Sequence, residues 1–338
     1  MRQVFITARG GPDKLQLREM PDPTPSGEQL RIRVRASGIN FADILARQGL
    51  YPDAPKLPCV VGYEVAGVVD AVGSQADAHW LGREVLALTR FNGYADMVLA
   101  PQTQVFVKPA TLSFEQAAAV PVNYLTAWQL MVVMGSLASD ETVLIHNAGG
   151  GVGLAAIDIG RHIGARLFGT ASSAKHPFLL QRGLSAALDY TRGDWRAEIS
   201  RLTNGRGVEL ILDPLGGSHW KKSYAALRHT GRLAMYGAST VTESKLPGVL
   251  RLLSVGAGLP WFNPISLMNA NCAVFGVNLG HLWHEGDKIA RWMKSILDGV
   301  EQGWVRPHVD RCFPLAEAGA AQAYMEARRN TGKVVLTA

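Results

Sequence analysis

The sequence predicts an α/β protein in which a β-rich domain, built from both ends of the chain, carries an inserted doubly wound domain with a parallel sheet. Three observations predict it. From Met1 to about Pro121, short runs dense in Val and Ile are broken by Gly, Pro and Asp. From about residue 140 to Val277, strand-like and helix-like segments alternate. Between them the run IHNAGGGVG (145–153) sets a glycine-rich turn where an apolar stretch stops and an apolar-periodic one begins. Alternation at this spacing fits a parallel sheet covered by helices on both faces.

Taken in order, MRQVFITARG opens on a strand, and RIRVRASGI, EVAGVVDAV and REVLALT read as further strands. After Phe114 the stretch EQAAAVPVNYLTAWQLMVV has a helical apolar pattern, and TVLIHN then reads as a buried strand. A helix over 152–163 follows, with Val152, Ala155, Ala156, Ile159 and Ile163 on one face. RLFGT, AALDY, VELILD, RLAMYG and CAVFGV continue as strands, separated by helices near 177–181, 195–202 and 220–227. From about Gly280 an amphipathic helix over 288–300 precedes short strands near 308–313 and 333–336. The expected boundaries are 1–122 with 280–338 for the β-rich domain and 123–279 for the inserted one.

A chain of 338 residues can hold two domains with separate cores, and 47% hydrophobic residues is an ordinary globular share. The net charge of +6 is spread without a block of like charges, which favours anionic ligands slightly and gives no reason to expect nucleic-acid binding. Cys59, Cys272 and Cys312 are far apart and lack C-x-x-C spacing, so they read as reduced intracellular thiols. The N-terminus has no apolar core of a signal peptide. The stretch 246–262 is interrupted by Pro247, Arg251 and Pro260, whereas a spanning helix needs about 20 mostly apolar residues. A soluble, cytoplasmic protein is expected, with membrane contact disfavoured.

Within the glycine turn, Ala148-x-Gly150-x-x-Gly153 has the spacing of a dinucleotide fingerprint with alanine in first place. Gly150 lets backbone approach a pyrophosphate, Gly153 lets the next helix pack on the strand, and the helix N-terminus offers unpaired N–H groups. Ala148, Gly150, Gly151, Val152 and Gly153 are therefore the expected contacts. The strand RLFGT should end beside the adenosine ribose, and it continues Ala171-Ser172-Ser173-Ala174-Lys175, without the carboxylate that NAD sites place there. Hydroxyls and an ammonium suit a 2′-phosphate, so NADPH is expected, with Ser172 and Lys175 as contacts. The alternative is that Ser172 only caps a helix and Lys175 is solvated. Gly237, ending RLAMYG, should sit outside the carboxyl ends of the strands, where such sheets bind ligands.

Further motifs occur in order along essentially the whole chain: Gly38-Ile39-Asn40-Phe41-Ala42-Asp43, Gly49-Leu50-Tyr51, Pro58-x-x-x-Gly62-x-Glu64-x-Ala66-Gly67-Val68-Val69, Asn123-Tyr124-x-Thr126-Ala127, the AGGGVG turn and Asp213-Pro214-Leu215-Gly216-Gly217. Together they resemble the medium-chain dehydrogenase/reductase superfamily, and within it the zinc-free quinone oxidoreductase branch. INFADILARQGLY, ASSAKH, DPLGGS and ANCAVFGVNLGHL are most similar to the proteins named after the vesicle amine transport protein of synaptic vesicle membranes. The resemblance implies a GroES-like catalytic domain formed by both chain ends and an inserted Rossmann domain. It implies that Asn40, Asp43, Tyr51 and Tyr63 line the cleft near the nicotinamide, with Thr126 near its ribose or carboxamide and Tyr51 as proton donor or anion stabiliser. It further places Tyr190 near the adenine phosphate, and Asn330 and Lys333 facing the cofactor.

Where zinc members of the superfamily carry Cys and His, this chain has Ser37 or Gly38, and Tyr63 before Glu64, so no metal is expected. Without a Lewis acid the substrate must itself accept hydride well, which quinones and α,β-unsaturated carbonyls do. The leading expectation is an NADPH-dependent reductase of such compounds. The other is a nucleotide-binding protein with little turnover, similar to the vesicle proteins and acting in binding or membrane-associated roles. The apolar segment 246–268 reads as a lid or interface in preference to a lipid-facing surface. The strand between Cys272 and Val277 suits edge pairing with a second copy in a homodimer.

Overall fold

The β-branched runs at the start of the chain form the sheets of one compact unit, Met1–Leu125 with Leu279–Ala338; Thr126–Asn278 forms another. The computed structural model describes residues 1–240 and 258–338. In the first unit β1 (Arg2–Ile6) pairs antiparallel with β2 (Leu15–Glu19) and β4 (Cys59–Val60). A second, seven-stranded sheet contains β3 (Gln29–Gly38), β5 (Glu64–Val72), β6 (Glu84–Leu88), β7 (Met97–Pro101), β8 (Val105–Val107), β15 (Val309–Pro314) and β16 (Lys333–Thr337). Along β3 the alternate residues Leu30, Ile32, Val34 and Ala36 are buried, and they pack with Val65, Val85 and Val98 into one core. That alternation is the period-2 signature of a half-buried strand.

The end of the chain returns to this sheet. β16 runs antiparallel to β3, with Val335 opposite Gly38 and Leu336 opposite Ser37, which sets Lys333 beside the end of β3. Immediately after β3, helix α1 (Phe41–Arg47) begins with a capping box between Asn40 and Asp43.

The second unit contains a six-stranded parallel sheet of β9 (Thr142–Ile145), β10 (Arg166–Ala171), β11 (Ala186–Asp189), β12 (Val208–Asp213), β13 (Leu227–Met235) and β14 (Ala273–Gly276), in the order β11-β10-β9-β12-β13-β14. Strand order reverses between β9 and β12, the switch point where ligands bind outside the carboxyl ends. Leu144, Phe168, Leu188, Trp195, Ile211 and Leu233 belong to its core.

Helix α4 (Gly151–Ile163) matches the periodic run after the glycine turn, and α6 (Trp195–Leu202) has the expected span. Two expectations change. The single helical run after Phe114 is broken into α2 (Phe114–Ala117) and α3 (Pro121–Trp128), because Pro121 lacks the N–H needed to continue a helix but suits the first turn of a new one. The helix expected over 220–227 begins earlier, as α7 (Ser218–Tyr224), and Leu227 already belongs to β13. Gly216 and Gly217, at φ +86° and +57°, make the sharp entry that starts α7 directly after the Asp213 turn.

Of the apolar segment 246–268, residues 246–257 lie outside the described residues. Its remainder includes α8 (Pro264–Ala270), where Ile265 and Met268 are exposed, preceded by Trp261 at 90% exposure. No helix among the described residues is long and apolar enough to cross a membrane.

Candidate functional site

In the second unit the glycine turn is folded tightly against its own strand. Asn147 takes a left-handed conformation, Gly150 is extended and caps α4, and Gly151 is the first helical residue. A methyl group at Gly153 would lie 2.5 Å from the Asn147 carbonyl oxygen and 2.6 Å from that of Ala148, so no other residue fits without moving backbone. Buried Ala148 donates its N–H to the Thr170 carbonyl at 3.0 Å, which fixes the turn to β10. No side chain caps the N-terminus of α4, so its leading amides are left for a ligand or solvent. Gly151 and Val152 are half-buried at that end.

The end of β10 comes to the same place. A methyl group on Gly149 would lie 2.8 Å from Lys175 Cδ and 3.7 Å from its Nζ, so the lysine stem crosses the glycine turn. Ser172 precedes a short 3-10 turn, Ser173–Lys175, and makes no side-chain capping bond. Ser172 thus stands at the N-cap position of that turn without its hydroxyl serving as the cap. Tyr190 is 42% exposed just beyond β11. Exposed Gly237 packs on the turn after β12, since a methyl group there would lie 2.9 Å from the Pro214 carbonyl oxygen. Thr126 is buried on α3, where the second unit begins.

In the first unit the expected substrate-side residues surround a buried ionic cluster. Lys333 Nζ donates to Glu64 Oε1, and to Asn40 Oδ1 at 2.7 Å. Asn40 Nδ2 donates to Glu64 Oε1 at 3.0 Å, and the Val122 N–H to Glu64 Oε2 at 2.7 Å. Lys333 and Glu64 are almost wholly inaccessible. Lys333, expected to face a cofactor, is instead committed to Glu64, and its effect on a site passes through the orientation of Asn40.

Asp43 is likewise internal. Its Oδ2 accepts from the Asn40 N–H at 2.8 Å and from the Tyr94 hydroxyl at 3.1 Å, and its Oδ1 accepts from the Gly62 N–H at 3.1 Å. Burial pushes its carboxyl up to about 7, against the opposing pull of the Asn40 N–H, the Tyr94 hydroxyl, the Lys333 charge and the Gly62 N–H. It positions Asn40 and Gly62; expected to line the cleft near the nicotinamide, it is fully buried behind these two residues. Asn330 donates its amide N–H to the Gly332 carbonyl at 2.8 Å, within its own turn.

Tyr51 and Tyr63 meet edge to face with ring centroids 6.2 Å apart, and Phe91 lies 5.4 Å from Tyr63 on another side. The Tyr63 hydroxyl is buried, with the Tyr51 phenol as its neighbouring polar group and no well-formed hydrogen bond of its own, so a bound polar group would meet an available donor. Burial, then the Asp43 charge, then Tyr51 hold this phenol far above its ordinary range, so it remains an O–H donor.

The alcohol dehydrogenase GroES-like domain family matches residues 26–129, and the zinc-binding dehydrogenase family matches residues 182–336. The synaptic vesicle membrane protein VAT-1 homolog of Homo sapiens is 37% identical, with 99% of this chain and 86% of that protein covered. The human quinone oxidoreductase is 30% identical, over 99% and 97%. Among solved structures, Escherichia coli quinone oxidoreductase complexed with NADPH superposes with a TM-score of 0.89 at 26% identity, covering both chains completely. The chain belongs to the medium-chain dehydrogenase/reductase superfamily, in the branch of the quinone oxidoreductases and VAT-1 proteins.

The zinc in one family's description meets an unsuitable donor set in this member of the superfamily. A methyl group at Gly38 would lie 2.5 Å from the Ala118 carbonyl oxygen, 2.6 Å from Lys333 Cε and 2.7 Å from Glu64 Oε1. No thiolate could occupy that position, and the neighbouring Glu64 already carries an ammonium partner. Tyr63 offers a protonated phenol where a zinc-binding member presents imidazole. The residues do not fit zinc at this place.

Little local in the sequence marks the roles of Glu64 and Tyr94, of the histidines His146 and His219, or of Asp213 beyond its place in the Asp213-Pro214 motif. Glu64 had one available signal: a carboxylate at the head of an otherwise apolar strand, EVAGVV, must find a partner or stay protonated.

Asp43 gives a pH dependence. The folded protein keeps its proton to about pH 7, whereas the unfolded chain releases it near pH 4. Stability from this group is therefore full below about pH 4 and is lost as pH rises through about 7. Urea unfolding between pH 4 and 8 should show the wild type losing stability relative to Asp43→Asn across that window. A difference independent of pH would contradict the assignment.

Proposed function

We propose that this protein is an NADPH-dependent oxidoreductase that reduces quinones or α,β-unsaturated carbonyl compounds without zinc. The observation that carries this reading is the Lys175 stem lying across a glycine turn that admits no Cβ at Gly153. NADPH in the E. coli quinone oxidoreductase complex supports the same cofactor here. When bound, the cofactor would supply a hydride.

The chain's own residues then divide the remaining work. The leading amides of α4, at Gly151, Val152 and Gly153, with the Ala148 and Gly150 backbone beside them, would hold the pyrophosphate through N–H groups and the positive end of the helix dipole. Lys175 and the uncapped hydroxyl of Ser172 would bind the 2′-phosphate, with Tyr190 flanking it. Thr126 and Gly237 are proposed as further cofactor contacts. Asn40, fixed by Glu64, Lys333 and Asp43, would present a rigid amide to the reacting groups, and only its orientation depends on the buried residues behind it. Tyr51 would give a proton to the substrate oxygen, or stabilise the anion that forms there. Tyr63, kept protonated, would offer a second O–H donor.

A homodimer is part of this proposal. Among the described residues β14 is the outer strand of its sheet, and the segment leading to it exposes Trp261, Ile265 and Met268. Pairing β14 with its twin would satisfy an open edge and cover apolar surface.

NADPH oxidation measured with ortho-quinones, para-quinones and enones tests the reading: substrate-dependent turnover is expected, and tight NADPH binding with negligible turnover would favour a nucleotide-binding protein instead. Lys175→Ala should lower the preference for NADPH over NADH by about 10- to 100-fold, the size of one charge-assisted hydrogen bond; an unchanged preference would remove Lys175 from the site. With a saturating enone, Tyr51→Phe should reduce kcat by about 100-fold or more. A full rate would rule out proton donation by that phenol.

A further inference from the structure

The carboxyl ends of β9 and β12 carry another polar cluster, on the side that faces α6 and α7. His146, one residue beyond β9, is fully buried, with its ring edge to face against Trp195 of α6 and His219 of α7 at 4.7 and 4.5 Å between centroids. Its Nδ1 lies 3.0 Å from Thr170 Oγ1, leaving Nε2 directed at Ser223 Oγ, 3.2 Å away. Asp213 ends β12 and is also buried; its Oδ1 accepts from the Leu215 N–H at 2.7 Å. Its Oδ2 accepts from the Ser223 hydroxyl at 2.6 Å and lies 2.7 Å from His219 Nδ1. Ser223 Oγ is in turn 3.4 Å from His219 Nδ1.

A single small group, the Ser223 hydroxyl, thus sits among two imidazole nitrogens and one carboxylate oxygen. One donor atom from each of His146, Asp213 and His219 lies within 4.8 Å of the others. In a tetrahedral zinc site with bonds of about 2.0–2.1 Å, ligand atoms are about 3.4 Å apart. The nearest pair, at 2.7 Å, must open slightly and the widest close by up to about 1.4 Å, with the serine hydroxyl moving from the centre to a fourth corner.

The surroundings already resemble an outer shell. Thr170 fixes the His146 ring through its far nitrogen, and the Leu215 N–H holds the far oxygen of Asp213, so both near atoms are aimed at one point. The His219 side chain is 18% exposed, which provides a route for an ion from solvent. Two imidazoles and a carboxylate suit a borderline ion better than a hard one, whose preferred ligands are all oxygen.

We propose that His146 Nε2, Asp213 Oδ2 and His219 Nδ1 form a binding site for a divalent ion of the zinc class, with Ser223 Oγ or water completing it. The site is separate from the Gly38 and Tyr63 positions, where zinc does not fit. A bound ion ties β9, β12 and α7 together.

The test uses the untagged full chain, stripped with a chelator and dialysed to equilibrium against Zn²⁺, with Co²⁺ as a spectroscopic substitute. One ion per chain at micromolar concentration is expected, with the intense visible absorption of tetrahedral Co²⁺. His219→Ala, at a partly exposed position, should bind at least about tenfold more weakly while its circular dichroism is unchanged; Ser223→Ala should keep binding within a few fold. Absence of retained zinc, a Co²⁺ spectrum no different from the hydrated ion, or affinity untouched by His219→Ala would each overturn the site. Should His219→Ala fail to fold, the wild-type Co²⁺ spectrum decides alone.

Discussion

The missing side chain at Gly153 is the constraint on which the nucleotide end of this protein depends. Carbonyl oxygens of Asn147 and Ala148 stand 2.5 and 2.6 Å from where a Cβ would be, so α4 can approach β9 only because residue 153 has none. That approach brings the unpaired amides of a 13-residue helix to the carboxyl ends of the central strands. Gly169 repeats the device one strand away, where a Cβ would lie 2.6 Å from Ala148 Cβ, and so the turn, β10 and the lysine beyond it are drawn to one place.

The other unit relies on a different economy. Burying Lys333 and Glu64 costs several kcal/mol per charge, and a pair of this kind holds only when its remaining hydrogen-bonding capacity is met. Asn40 and the Val122 N–H meet it. Because Lys333 opens β16 and Glu64 opens β5, the pair also joins the returning end of the chain to the sheet built by its beginning. Lys333, Glu64 and Asp43 act as positioning residues: between them they leave the Asn40 amide with little freedom.

Much of the fold was legible because period and residue type agree. β-branched alternation marks β3 and β5, and the 3.6-residue spacing from Val152 to Ile163 marks α4, each a local signal that tertiary contacts reinforce. Lys175 could be placed near the glycine turn because the order of strands and helices fixes where β10 ends. The pairing of Lys333 with Glu64 was not legible: 269 residues separate them, and nothing local distinguishes a buried lysine from a solvated one. Asp43 is ambiguous for a related reason: a carboxylate three residues into a helix signals either a capping box or a site, and the sequence does not say which. His146 lies inside the very motif that was read for its glycines, but its partners Asp213, His219 and Ser223 come from beyond β12 and become visible only once β9 and β12 are neighbours.

The central claim is that a nicotinamide nucleotide phosphorylated on its adenosine ribose docks on the turn from Ala148 to Gly153. Amide hydrogen exchange with and without saturating NADPH addresses it directly. Slower exchange at residues 149–154 and 172–175, larger than that produced by NADH at the same concentration, is the predicted result. Exchange in both stretches that does not respond to NADPH would contradict the account.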